Sequence, residues 1–407
     1  MNLELIRQAD SKVGGIACKY LYYYDRFRAL FPPLRLSQGI NNILVIKFWG
    51  IGNLVHVSPT LRAIRQRFPD ARIVFLTLEQ NKGVYEGSGL YDEALYLRLT
   101  TPLDFARAFF RLFFQLRSYY FDLIIDLEPL VHFAEIISFY VGVGTTIGFS
   151  LPGRTSLFTK PVEFREDEHI GRTFYRIMEA LGVADEPTEA QLLATPIPLN
   201  GEDNRAASKL LQSQGIREDD FLVGVNVNAS EVAKERRWPL ENFAGLMDLL
   251  IQKLKAKVIL FGAPDEAPYV QRALAMMREE PVNLAGRTTL REAIALISKL
   301  HLFVTNDSGP LHLAYATGVS TISFYGPESP RRYGPIGPQH RALYKGMDCS
   351  PCIYFKNLKK INCKRDALCL REISVEEVFR LVEEAYKDWV RENTATKAAN
   401  SHLETRI

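Results

Sequence analysis

The sequence predicts an α/β protein with two doubly wound parallel sheets in series, and three observations carry that expectation. Short apolar runs alternate with amphipathic segments from Asn41 onward, the alternation breaks once at T-P-I-P-L-N-G-E-D (195–203), and it then restarts. At 407 residues the chain is too long for one ordinary domain. With 47% apolar residues, each half can bury a core of its own.

Residues 1–40 read as an N-terminal helical extension. In the first half, 41–196, strands are expected over 43–48, 72–77 and 122–126, and helices over 55–67, 104–117 and 131–140. The uncharged run 136–153 reaches the minimum length of a membrane span, yet it carries Gly142, Gly144, Gly148 and Pro152. It reads as a helix end, a turn and a short strand. The prolines and glycine of 195–203 make a linker. In the second half, 204–372, strands are expected over 221–227, 257–261, 301–305 and 320–324. Helices are expected there over 240–254, 266–278, 289–299 and 310–317. A helix over 373–391 closes the chain, and the polar tail 392–407 is expected to be disordered. Two such sheets place a ligand cleft at the carboxyl ends of their strands.

The formal charge of +3 comes from 50 basic and 47 acidic residues, too even a mixture for a general nucleic-acid binder. Glu4, Arg7, Asp10 and Lys12 exclude a signal peptide in the first residues. Cys18 stands apart from Cys349, Cys352, Cys363 and Cys369, a pattern unlike a secreted disulfide scaffold, so a reducing, cytoplasmic setting is expected. The late cysteines fit either a zinc site or a buried thiol cluster. Their second pair lacks the usual two-to-four-residue gap, and no metal or cofactor is expected.

The strongest local signal is V-T-N-D-S-G-P-L-H-L-A (304–314). A strand ends, Asp307 or Ser308 caps, Gly309 turns, and Pro310 sits where a helix tolerates a missing amide. Exposed amides at such a helix start suit a diphosphate, and an N-capped core helix reads equally well. Asn228 and Ser230 follow another strand end, and Arg236 and Arg237 precede Trp238-Pro239. Together they offer phosphate donors, or a solvated basic loop. Glu266, in F-G-A-P-D-E, stands where a ribose-binding carboxylate or a helix-start acid belongs. In I-K-F-W-G-I-G-N (46–53), Gly50 and Gly52 break a strand and bring backbone amides close to a ligand. The third small residue of a dinucleotide fingerprint is absent there, Val55 standing in its place, which disfavours an NAD enzyme.

These residues together resemble glycosyltransferase family 9, the heptosyltransferase family of bacterial lipopolysaccharide assembly. The resemblance runs from about Asn41 to about Val378. It rests on I-G-N-L-V-H-V-S-P-T-L-R-A-I-R, R-R-W-P-L-E-N-F, F-G-A-P-D-E, T-N-D-S-G-P-L-H-L-A, F-Y-G-P-E-S-P and C-S-P-C. It implies a GT-B architecture, two Rossmann-like domains facing across a cleft, with acceptor in the first and nucleotide-sugar donor in the second. Transfer of a sugar, a heptose in relatives, then inverts the anomeric carbon without a required metal. The resemblance places Ser308, Gly309 and Ser230 at the diphosphate and Arg236, where relatives commonly have lysine, near the phosphates. It places Glu266 at the ribose, and Asp307 and His312 around the donor pocket beside Asn228.

One departure stands out: relatives commonly carry aspartate where this chain has Asn53. That aspartate is thought to take the acceptor proton, which a neutral amide cannot do. His56, one helical turn on, is the nearest titratable candidate, followed by Asp126 and Glu128 at the end of the third strand. Rival readings are a non-catalytic nucleotide-sugar or glycan binder and a nucleotide-dependent sugar epimerase. A core-facing helix explains most of the pattern of 104–117, with its polar stripe Asp104, Arg107, Arg111, Gln115 and Ser118, and its excess of Phe and Arg also fits peripheral contact with the inner membrane face. Tyr20, Tyr22, Tyr23, Tyr24, Arg26 and Arg28 point the same way. The expected partners are therefore a nucleotide-sugar donor and a glycolipid or glycan acceptor.

Overall fold

The computed structural model describes residues 10–28, 39–98, 111–112, 114–141, 144–151, 156–229, 231–354 and 361–404. The chain divides into two compact units, Met1–Pro198 and Leu199–Ile407.

In the first unit, α1 (Gly15–Arg28) precedes β1 (Asn42–Ile46), α2 (Ile51–Arg67), β2 (Arg72–Leu78), β3 (Glu93–Leu97) and β4 (Leu123–Asp126). α3 (His132–Val141), β5 (Thr145–Ser150) and β6 (Lys160–Glu163) follow. N-I-L-V-I, R-I-V-F-L-T-L and L-I-I-D are nearly unbroken apolar runs, the pattern of strands buried on both faces of a parallel sheet. All six strands are parallel in the order β3-β2-β1-β4-β5-β6, with Val45 aligned to Phe75 on one side and Ile125 on the other. Strand addition reverses direction between β1 and β4. The crevice beyond their carboxyl ends is where such sheets bind ligands.

α2 begins at Ile51 rather than at 55, because Gly50 takes φ 85° as its N-cap and Gly52 lies inside the first turn. Paired glycines read as a turn in the sequence, although only the first has that conformation. Of the expected helix 104–117, residues 104–110 and 113 lie outside the described residues, Asp104 and Arg107 among them. Residues 111–112 and 114–117 are helical; Leu112 and Leu116 join the core while Phe114 is exposed. Within the expected N-terminal extension, 10–28 is helical, and 1–9 and 29–38 lie outside the described residues.

In the second unit, Asn200 opens α4 (Gly201–Ser213). Its side chain accepts from the amides of Glu202 and Asp203, and Asp203 accepts from the Asn200 amide. The end of the expected linker is thus a capping box, a signal masked by the prolines before it. β7 (Leu222–Asn226), α5 (Leu240–Leu254), β8 (Lys257–Leu260), α6 (Ala267–Leu274), β9 (Val282–Asn283) and α7 (Leu290–Ile297) follow. β10 (Leu302–Asn306), α8 (Gly309–Ala316), β11 (Ser320–Tyr325), β12 (His340–Tyr344) and α9 (Val375–Glu404) complete the unit. Six parallel strands stand in the order β12-β11-β10-β7-β8-β9, so the direction reverses between β7 and β10.

Trp238 centres this second core, with its ring 4.9 Å from Phe243 and 4.5 Å from Phe324 and its indole N–H donating to Ile373 O at 2.9 Å. α9 lays Val378, Phe379, Val382, Tyr386 and Trp389 on that core. The helix continues to Glu404, so the tail expected to be disordered from 392 is helical through 404. Lengthening an existing helix needs no new nucleus, and the alanines of A-T-K-A-A-N favour it, which polarity alone does not reveal. Among the described residues no helix is long and apolar enough to cross a membrane.

Candidate active site

Both reversal points carry a polar cluster, and each cluster is built within its own unit. In the first unit, β1 runs out into Lys47-Phe48-Trp49-Gly50, and Glu128, two residues beyond β4, fixes this turn. Glu128 Oε1 accepts from Lys47 Nζ at 2.5 Å, from the Phe48 amide at 2.6 Å and from the Trp49 amide at 2.7 Å. Lys47 Nζ also donates to Trp49 O at 3.0 Å and lies 5.8 Å from the centre of the Phe174 ring. Asn81 Nδ2 holds the Phe48 carbonyl at 2.8 Å. Lys47 and Glu128 are 1% and 6% exposed, and ions this deeply buried need such a dense set of hydrogen bonds. Asp126 is fully buried behind them, its Oδ1 accepting from the Glu128 amide at 2.8 Å.

Asn53 is half-buried on the first turn of α2, its Nδ2 3.4 Å from Trp49 O. A Cβ on Gly50 would stand 3.1 Å from that nitrogen, and φ 85° excludes most side chains, so glycine fits the position on both counts. His56 is buried, and its ring packs edge-on against His169 at 5.3 Å. His169 is itself a cap, its Nδ1 accepting from the Gly171 amide at 3.1 Å. The structure therefore brings Gly50, Gly52 and Asn53 to one turn, with Asp126 behind it, and gives His56 a packing position.

In the second unit, the ends of β7 and β10 meet. Asn226 Nδ2 donates to Thr305 Oγ1 at 3.3 Å and to Ser308 Oγ at 3.2 Å; Asn306 Nδ2 donates to Val227 O at 3.0 Å and Asn228 O at 3.2 Å. Asn306 Oδ1 accepts from the Trp238 amide at 2.8 Å, tying the R-R-W-P loop to the β10 end. Arg236 then pairs with Asp307 Oδ2 at 2.9 Å and also donates to the Asp307 carbonyl. His312 Nε2 stands 3.9 Å from Asp307 Oδ1. Tyr325 is fully buried; burial first, and then the Asp307 carboxylate, hold its hydroxyl well above the ordinary phenol range.

Ser308 is the N-cap of α8 by backbone position, yet its hydroxyl makes no cap bond and lies 3.2 Å from Thr305 Oγ1 instead. The first-turn amides at Gly309 and Leu311 thus receive no bond from the cap side chain, and the helix dipole favours an anion in front of them. Asn228 Oδ1 and Arg236 Nε are buried without a hydrogen-bond partner among the described residues. Unsatisfied buried polar atoms are costly, and a polar ligand would answer both.

Asn228, Arg236, Asp307, Ser308, Gly309 and His312 accordingly share one cluster. Ser230 lies outside the described residues. Glu266 stands at the adjacent β8 turn, where its Oε2 accepts from the Ala263 amide at 2.8 Å. That turn reaches the cluster through Gly262, whose Cβ would lie 3.1 Å from Asn228 Nδ2. Sequence reading missed Lys47, Asn81, Asn226 and Asn306; their signal is a polar residue ending, or just past, an apolar run. None of the five cysteines forms a disulfide, and burial together with the Cys369, Cys363 and Cys349 thiols pushes Cys352 up to about 11.

Comparison with known proteins agrees with the two-unit parallel-sheet fold. A family model, glycosyltransferase family 9 (heptosyltransferase), matches residues 109–362, more than half of the chain. The lipopolysaccharide core heptosyltransferase OpsX of Haemophilus influenzae is 21% identical over 330 residues, covering 80% of this chain and 88% of that protein. The crystal structure of a family 9 glycosyl transferase from Veillonella parvula superposes with a TM-score of 0.73 at 25% identity, covering 87% of this chain and 99% of that one. The E. coli ADP-heptose LPS heptosyltransferase II gives a TM-score of 0.69 at 20% identity, over 85% of this chain and 99% of that one. The two parallel-sheet units are the Rossmann-like halves of a GT-B glycosyltransferase, and the chain belongs to glycosyltransferase family 9, the heptosyltransferase family.

Proposed function

We propose that the chain is an inverting transferase moving a heptose from an ADP-linked donor to a lipopolysaccharide-type glycolipid. The observation that carries this is the anion-ready start of α8, flanked by Arg236 and by the unpartnered Asn228 Oδ1 and Arg236 Nε. The donor assignment draws support from the E. coli relative, whose name gives ADP-heptose and lipopolysaccharide as its substrates. In this proposal the acceptor hydroxyl attacks the anomeric carbon from the face opposite the diphosphate. The C–O bond to phosphate breaks, Arg236 and the α8 amides take up the charge of the leaving diphosphate, and the acceptor proton passes to solvent water as the new C–O bond forms.

Asn53 orients the attacking hydroxyl without removing its proton. Asn53→Asp is expected to keep or raise turnover and to shift the pH profile toward acid, because it adds a carboxylate titrating near 4. His56→Ala is expected to lower stability and leave the profile unchanged, given the packing of its ring on His169. Transfer rates from pH 5 to 9 with both variants test these roles; a His56→Ala protein that is folded but has lost one limb of the profile would assign the proton to His56. A wild type that binds donor without turnover, while Asn53→Asp transfers, would favour the non-catalytic reading that Asn53 itself suggests.

A glycolipid acceptor calls for contact with the membrane face. Val13, Ile16, Tyr20, Tyr23 and Tyr24 are 68%, 61%, 75%, 63% and 56% exposed, at spacings that place them on one side of the α1 segment. The stretch 11–24 carries Lys12 and Lys19 and no acid. Tyrosines and lysines of this kind suit an anionic lipid interface. Co-sedimentation with phosphatidylglycerol vesicles is expected to fall at least tenfold in Ile16→Ser/Tyr20→Ser/Tyr23→Ser; unchanged binding would remove α1 from the membrane contact.

A further inference from the structure

The first unit holds a second cluster of ligating side chains, between the N-terminal helix and the start of α3, which the proposed transfer chemistry does not use. Cys18 of α1 and His132 and Glu135 of α3 each offer one ligand atom, and these atoms all lie within 4.8 Å of one another. Cys18 Sγ is 3.7 Å from Glu135 Oε2, and His132 Nδ1 is 4.0 Å from the same oxygen. We propose that Cys18, His132 and Glu135 form a binding site for a divalent transition-metal ion of the zinc class, joining the N-terminal helix to α3.

The local sequence builds the site in three steps. His132 and Glu135 are three apart at the start of α3, so both project from one face. Asp10 caps that helix from the N-terminal segment, accepting from the His132 amide at 3.0 Å and the Phe133 amide at 2.8 Å. Gly14 lets the two segments touch: a Cβ there would stand 2.7 Å from His132 Cβ, and one on Gly15 would be 3.4 Å from His132 Nε2. Cys18 arrives one turn later. It is 1% exposed and Glu135 is 3% exposed, so the thiol and the carboxylate face each other away from water.

Metal–ligand bonds of about 2.3 Å to sulfur and about 2.0–2.2 Å to nitrogen and oxygen put the ligands of a tetrahedral ion about 3.3–3.8 Å apart. The Cys18–Glu135 spacing of 3.7 Å is already in that range, and the His132–Glu135 spacing of 4.0 Å needs a contraction of roughly half an ångström. Glu135 is oriented from behind, since its Oε1 accepts from the Leu157 amide at 2.6 Å, the outer support that metal-bound carboxylates have. A thiolate, an imidazole and a carboxylate together select borderline ions such as Zn(II) or Co(II) over magnesium or calcium. Three protein ligands leave one position for water.

The test is cobalt and zinc binding by the full-length protein. Wild type, stripped with chelator and reloaded, is expected to retain about one equivalent of zinc after desalting, and its cobalt form to show a thiolate-to-metal charge-transfer band. Cys18→Ser and Glu135→Gln are each expected to lower zinc affinity at least tenfold, and Cys18→Ser to lose the band. Cys352→Ser is the control for the late cysteines and is expected to change neither readout. Circular dichroism of each stripped variant separates lost ligation from lost folding. Equal zinc retention and an intact cobalt band in folded Cys18→Ser would overturn the proposal, as would a band that disappears in Cys352→Ser and survives in Cys18→Ser.

Discussion

Arg236→Ala is expected to lower the rate of heptosyl transfer by about two to three orders of magnitude, the effect of removing one donor that meets charge developing in the transition state. The guanidinium is held by Asp307 through Oδ2 at 2.9 Å and through its carbonyl, and its Nε remains unpartnered among the described residues. It is thus pre-oriented beside the α8 start without being fully engaged. Arg236→Lys keeps the charge and loses the planar fork, so an intermediate rate is expected. Single-turnover transfer and ADP affinity, measured together, check the argument. A loss confined to turnover marks leaving-group stabilisation, an equal loss in affinity marks ground-state binding, and wild-type values in both would make Arg236 a structural partner of Asp307 alone.

Glu128→Ala is expected to be the most destabilising single change in the first unit, costing about 3–5 kcal/mol. It would leave Lys47, 1% exposed, charged and without the carboxylate that accepts at 2.5 Å, and would orphan the Phe48 and Trp49 amides. Lys47→Met removes the charge itself and is expected to cost less. The double variant Lys47→Met/Glu128→Gln is expected to recover part of the loss, because it leaves no uncompensated buried charge and keeps a side-chain carbonyl to accept from the Phe48 and Trp49 amides. Urea unfolding of the four proteins checks this. A Glu128→Ala protein within about 0.5 kcal/mol of wild type would mean that the turn after β1 is held by other contacts.

Central strands were legible because burial on both faces writes them as apolar runs, as in I-L-V-I of β1 and L-F-V at the start of β10. Edge strands were not. β3 is half-buried along most of its length, and β9 spans only two residues, so neither carries enough pattern. The polar cluster at the ends of β7 and β10 was legible because its residues stand where a strand has just ended and a helix begins. The Lys47–Glu128 pair was not, since its partners are 81 residues apart and only the β1/β4 pairing brings them together. His56, a titratable residue close in sequence to Asn53, shows what sequence proximity leaves out: its ring packs edge-on against His169, 113 residues away. Polarity likewise misrepresented the tail, where α9 continues through Glu404.

The account rests on the claim that this chain transfers a heptose from a nucleotide donor to a glycolipid. The direct measurement is mass spectrometry of a heptose-acceptor lipopolysaccharide precursor after incubation with purified protein and ADP-heptose, with ADP release followed in parallel. The predicted result is one heptose added per acceptor with equimolar ADP, lost in Arg236→Ala. ADP release without glycosylated acceptor, or donor binding with neither product, would contradict it.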